Sequence, residues 1–291
     1  MEESVSKVSR KTVPCLRPEG FRQMAYREWR GDGGEDCPVL VCVHGLTRNA
    51  ADFDPLAESL SSEYRVLCPD VLGRGDSEWL AMPAGYAYDG YVSDMAALIA
   101  RSGAAEVDWI GTSMGGLIGL FLAASHNTPI RRLVLNDVGP VIGADFIRFL
   151  KTYVGTDPRF ATLEEAERFF RFAHAGFGAL TDPQWAALTR ESVRPVETGG
   201  FRLAYDPALA VPLQALPEQD VDLWAVWDAA RVPTLVLRGA ESPLLDRDML
   251  ARMAERPGVT VAEVPGCGHA PALMDPAQIA LVRDWLMSVS V

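Results

Sequence analysis

The chain has 291 residues, 48% of them hydrophobic, which is enough for one large α/β domain carrying an insertion or for two domains. Its net charge of −12 is spread along the chain and argues against a nucleic-acid or anionic-membrane surface as partner. The five cysteines show no C-x-x-C spacing, residues 1–6 lack a signal-like apolar stretch, and no apolar run is long enough to span a membrane, so the expected compartment is the cytosol.

In chain order, the first twelve residues read as a loose polar arm. Phe21 to Trp29 reads as a strand and 30–36 as a turn-rich loop. The apolar run 38–43 ends at His44-Gly45 and suits a strand covered on both faces. Asn49 is placed to cap a helix from about Ala50 to Ser61. Tyr64 to Cys68 is the next strand, followed by Pro69-Asp70 and the loop Gly73-Arg74-Gly75-Asp76-Ser77. Cys42 and Cys68 fall within these runs and read as buried thiols. Tyr88 to Ser102 is helical, with Tyr91, Met95, Leu98 and Ile99 on one face. A strand at 107–110, a helix at 115–125 and a strand at 131–135 follow.

From about 141 to 230 only helical patterns and loops are read. Phe146, Phe149, Leu150 and Tyr153 mark one face, Thr162-Leu163-Glu164-Glu165 is a capping box, and Thr181 with Pro183 opens another helix. Strand–helix alternation resumes at 233–239, with a last strand at 259–264 and a closing helix at 276–287. The pattern predicts an open, mostly parallel sheet with helices on both faces, divided as 1–140, an insertion at 141–230, and 231–291. Insertions over the carboxyl ends of strands are where such sheets bind ligands.

Gly111-Thr112-Ser113-Met114-Gly115 follows the strand at 107–110 and precedes the apolar helix. A G-x-S-x-G in that context sets its serine on a strained strand-to-helix turn with the hydroxyl exposed. A serine needs a base to act as nucleophile. His269, in the glycine-flanked loop after the last strand, is the best candidate, since Ser…acid…His is the order such a turn goes with. His126 lies near the end of the helix after Ser113, His174 lies in the insertion, and His44 precedes a turn where a structural role is expected. The acid that would orient His269 has three candidates. Asp137 ends the strand after the nucleophile's helix, while Asp246 and Glu241 lie in the loop after strand 233–239, Asp246 being placed to cap a helix. The N–H groups of Met114 and Leu46 are the expected donors to an oxyanion.

Taken together, His44 to Asn49, Asp70 to Ser77, Gly111 to Gly116, Leu133 to Pro140, Leu235 to Gly239 and Gly266 to Pro271 resemble the α/β-hydrolase fold family, in its capped, soluble serine-esterase-like branch. The resemblance spans nearly everything outside the insertion. It implies an α/β-hydrolase fold: an eight-stranded, mostly parallel sheet with helices on both faces, an inserted helical cap over the site, and a Ser-acid-His hydrolase. Many relatives carry the acid near the position of Pro243; others carry it where this chain has Asp137, which makes Asp137 the expected acid.

No Walker or dinucleotide glycine pattern and no metal-ligand spacing is present, so neither cofactor nor metal is expected. Arg74-Gly75-Asp76 reads as a chance tripeptide. The insertion's aromatic residues are expected mostly to glue its helices to the core, some of them lining an acyl pocket. Arg48, beside the Leu46 turn, can meet a substrate carboxylate or pair with a structural acid. The expected activity is hydrolysis of a carboxylic ester or related acyl bond of a small molecule through an acyl-enzyme. Carbon–carbon or lactone hydrolysis, and a ligand-binding protein with an impaired triad, are the alternatives. Oligomeric state is not readable from the sequence.

Overall fold

The computed structural model describes residues 8–31 and 37–289; the expected loop at 30–36 and the first six residues lie largely outside them. Eight strands form one sheet: β1 (Val8–Arg17), β2 (Gly20–Trp29), β3 (Val39–Val43), β4 (Arg65–Pro69), β5 (Val107–Thr112), β6 (Ile130–Asn136), β7 (Thr234–Gly239) and β8 (Val259–Val264). They lie in the order β1-β2-β4-β3-β5-β6-β7-β8. β3 to β8 are mutually parallel, and β2 pairs antiparallel with both β1 and β4.

The central strands are continuous apolar runs because both faces are covered. Alternate residues of β3 serve the two sides. Val39, Val41 and Val43 pack with Met95 and Leu98 of α2 (Tyr88–Ser102) and Leu117 and Ile118 of α3 (Met114–Ala123). Leu40 and Cys42 pack with Leu56 and Leu60 of α1 (Asp54–Leu60) and Val282 and Trp285 near the C-terminus. β3 has β4 on one side and β5 on the other, so the strand order reverses there. That crevice, at the carboxyl ends of β3 and β5, is where open α/β sheets place their ligands.

The structure corrects two sequence expectations. The polar arm is in part the ten-residue strand β1, paired along its length with β2. It lies at the sheet edge with most of its first half exposed, which is why Ser9, Arg10 and Lys11 gave no apolar signal and why Pro14 is tolerated. The segment between β6 and β7 is not only helical. Beside helices at Ala144–Tyr153, Leu163–Ala173, Asp182–Ser192, Ala210–Ala215 and Trp224–Ala229 it holds a three-stranded sheet (159–160, 201–203, 193–195) and a two-stranded one (141–142, 221–222). Strands of two or three residues are too short to show a period in the sequence.

Candidate active site

The turn at Ser113 is built by close approach. A Cβ on Gly111 would lie 2.2 Å from the Gly115 carbonyl oxygen, and one on Gly115 would lie 2.0 Å from that of Val43, so only glycine lets α3 start against β5 and β3. Ser113 is left at φ 51, ψ −113, a conformation L-residues rarely adopt, and its N–H donates to the Asn136 carbonyl at 3.0 Å.

Asp137 sits one residue past β6, also at positive φ (55), with its N–H donating to the Leu237 carbonyl at 2.8 Å. Its carboxylate is fully buried yet well supplied with donors. Oδ1 accepts from the Gly239 N–H at 2.8 Å; Oδ2 accepts from Ser242 Oγ at 2.7 Å and lies 2.7 Å from His269 Nδ1. A carboxylate only accepts, so Nδ1 carries the proton and Nε2 is left to accept from Ser113 Oγ, 3.0 Å away. The structure thus brings Ser113, His269 and Asp137 into one hydrogen-bonded chain. It does not bring Glu241 or Asp246 to it. Glu241 is exposed, and Asp246 caps the helix Arg247–Ala254 by accepting from the Met249 N–H at 2.7 Å. From that loop it is Ser242, which sequence reasoning missed, that reaches Asp137; a lone serine in a loop carries no signal of such a role.

Leu46 and Met114 lie on either side of the crevice, and among the described residues no hydrogen bond occupies either N–H. Arg74 was also missed. Its guanidinium is fully buried and donates to the Leu46 carbonyl at 2.9 Å, the Leu72 carbonyl at 2.8 Å, the Tyr91 hydroxyl at 3.0 Å and the Met114 sulfur at 3.4 Å. Among the described residues it pairs with no carboxylate. A cation held out of water by neutral acceptors alone is costly, and this one grips both residues expected to bind an oxyanion.

His44 is fully buried beneath the same turn, and Nε2 accepts from the Val71 N–H at 3.0 Å. Burial, helped by the charges of Arg74 and Arg48, lowers its pKa to about 3. The unfolded chain takes up that proton near pH 6.5, the folded chain only near 3, so this group's stabilisation is full above 6.5 and is lost as pH falls towards 3. The loss is ~1.4 kcal/mol per pH unit. Asp54 and Asp70, each raised by burial to about 6, act in the opposite sense. Comparing urea midpoints at pH 7 and pH 5 in wild type and His44→Gln isolates the histidine: the variant should lose less stability on acidification. Equal losses would contradict a buried neutral His44.

His126 lies in an exposed turn beyond α3. Arg48 does meet an acid of its own chain, with Nε and Nη2 on the two oxygens of Asp52 at 2.9 and 2.6 Å. Residues between β6 and β7 touch this region. The Gly176 carbonyl accepts from the Gly268 N–H at 2.8 Å, the Phe146 ring meets His269 edge-on at 5.2 Å, and His174 stacks between Phe170 and Phe177. Trp185 and Trp227 are buried, whereas Phe172 is exposed. No described helix is long and apolar enough to cross a membrane.

The chain is similar to known proteins in sequence and fold. The alpha/beta hydrolase family pattern matches residues 40–281. A 3-hydroxybutyrate-oligomer hydrolase from Cupriavidus necator is 47% identical over 94% of this chain and 96% of its own. A 2-(acetamidomethylene)succinate hydrolase from Mesorhizobium japonicum is 27% identical over 80% of this chain and 81% of its own. Among solved structures, an alpha/beta hydrolase from Novosphingobium aromaticivorans superposes with a TM-score of 0.87 at 34% identity, covering 98% of this chain and all of its own.

Proposed function

Since the chain belongs to the alpha/beta hydrolase family and is a hydrolase, we propose that it cleaves carboxylic esters of short hydroxyacid oligomers through Ser113. The observation that carries this reading is the hydrogen-bonded chain from Ser113 Oγ through His269 to Asp137 at 3.0 and 2.7 Å. Similarity to the oligomer hydrolase supports the substrate class.

Ser113 Oγ attacks the ester carbonyl as its proton passes to His269 Nε2. The carbonyl oxygen becomes the oxyanion and is held by the N–H groups of Leu46 and Met114. Collapse breaks the C–O bond, and the proton on Nε2 goes to the departing alkoxide, releasing the alcohol. Water then gives a proton to Nε2 and attacks the acyl-enzyme; the second collapse returns the proton to Ser113 and frees the acid. Asp137 holds His269 in the Nδ1–H tautomer and stabilises the imidazolium formed in both halves. Residues 141–230 act as a cap over the crevice between the two parts of the core, 1–140 and 231–291. The reaction needs no cofactor, and the cytoplasm is the proposed location.

Intact-mass analysis after treatment with a fluorophosphonate tests the nucleophile. One adduct is expected on wild type and none on Ser113→Ala. An adduct that persists in the variant, or folded wild type that turns over ester yet takes no label, would overturn the assignment.

A further inference from the structure

Arg48 carries a donor that the chain does not use. The residue is 5% exposed, and its Nε and Nη2 are taken by Asp52. Nη1 is buried and has no hydrogen-bond partner. Leaving the N–H groups of a charged side chain unmet inside a protein costs free energy, so such an arm calls for an explanation.

Its position supplies one. The point where a side chain on Gly45 would begin lies 3.8 Å from Arg48 Cγ and 3.9 Å from Ser113 Cβ, so the stem of Arg48 runs beside the nucleophile. On the other side, the rings of Phe170 and Phe177 stand 5.7 and 5.8 Å from the guanidinium carbon. His174 is stacked between those rings, at 5.8 and 4.6 Å. Burial first, and then the charges of Arg48 and His269, keep this imidazole neutral, so it lies within the field of both. A guanidinium with an idle arm and a neutral imidazole, enclosed by aromatic rings beside a nucleophile, form a receptor for one small anion.

Resting on the ester-hydrolase reading above, we propose that Arg48 Nη1 and His174 receive a carboxylate carried by the leaving alcohol of the substrate. The enzyme then cleaves linear hydroxyacid oligomers from the carboxylate end, one unit at a time. In an ester of a 3-hydroxy acid, four covalent bonds separate the attacked carbonyl carbon from the terminal carboxylate carbon, a span of roughly 5 Å. Arg48 Cγ and Ser113 Cβ flank one point beside Gly45 at 3.8 and 3.9 Å, so a leaving group of that span runs out along the Arg48 side chain. Nη1 is buried, with the rings of Phe170 and Phe177 near the guanidinium, and the carboxylate reaches it by displacing one of them; a charge-assisted hydrogen bond outweighs the ring contact it replaces.

The test compares kcat/KM for the linear dimer of 3-hydroxybutyrate as the free acid and as its terminal primary amide. Wild type should favour the acid by about 10- to 100-fold, the worth of a charge-assisted hydrogen bond. Arg48→Gln should bring that ratio close to one, with Arg48→Lys between. A merely structural Arg48 would lower both rates and leave the ratio in place, and that result overturns the inference. So does a wild-type ratio near one, which needs no variant to fold. An inert free acid alongside Ser113-dependent cleavage of p-nitrophenyl acetate also overturns it, while sparing the ester-hydrolase reading. If p-nitrophenyl acetate is inert as well, that reading falls and the inference with it.

Discussion

Asp137→Asn is expected to lower kcat by about four orders of magnitude, the loss seen when a triad aspartate becomes an amide and the histidine adopts the wrong tautomer. Here the change is sharpened by the surroundings. Oδ1 and Oδ2 accept from Gly239 N–H, Ser242 Oγ and His269, so an amide NH2 at either position meets a donor. Either His269 takes the Nε2–H tautomer, presenting a proton rather than a lone pair to Ser113, or the Gly239 N–H is left facing a donor. Asp246→Asn and Glu241→Gln serve as controls in the same ester assay. Asp246 caps a helix, so asparagine, itself a good cap, should leave turnover within about twofold. Glu241 points to solvent and should be silent. Near-normal turnover in Asp137→Asn, with a collapse in Asp246→Asn, would reassign the acid.

Arg74→Met should lower kcat by about 10²–10³, as removal of an oxyanion donor does, with little change in KM. The side chain is fully buried. It holds the peptide after Leu46 and the Met114 side chain, and in the proposed mechanism its positive charge lies close to the residues that receive the oxyanion. That charge matters in the transition state and hardly at all in the ground state, so the loss falls on kcat. Methionine leaves two carbonyls and a tyrosine hydroxyl without their donor, so urea unfolding should show lower stability too. Arg74→Lys separates the two effects. It returns the charge without the fork, and should recover part of kcat while remaining less stable than wild type. A loss in KM alone, or no recovery with lysine, would make Arg74 a structural residue only.

Much of the sheet was legible because its central strands are buried on both faces and so read as unbroken apolar runs. β1 was not, because an edge strand is polar for the same physical reason that it is safe from edge-to-edge pairing. Ser113 was legible because two glycines, a strand and a helix must coincide for the chain to turn so tightly, and each leaves a local mark. The acid was narrowed to three carboxylates and not to one by the residues themselves. All three end or follow strands, and what separates them is register: Asp137 N–H bonded to Leu237, and a loop serine turned inward. Arg74 left no mark because an arginine between two glycines looks like any solvated loop residue. Its burial depends on contacts with 46, 72, 91 and 114, which no local window contains.

The order of the parts along the chain has its own consequence. The residues from His44 to Asp137 carry Ser113, Asp137 and the Leu46 and Met114 amides, while His269 and the two donors that hold Asp137, Gly239 and Ser242, come from β7 onward. A cut in the exposed turn at 197–199 would therefore leave one fragment with Ser113 and Asp137 and another with His269 and the donors that hold Asp137. Under the proposed mechanism neither half turns over alone. Turnover regained on mixing would then be a direct gauge of how strongly β7, bonded to β6 along Leu133 to Asn136, re-zips the two halves.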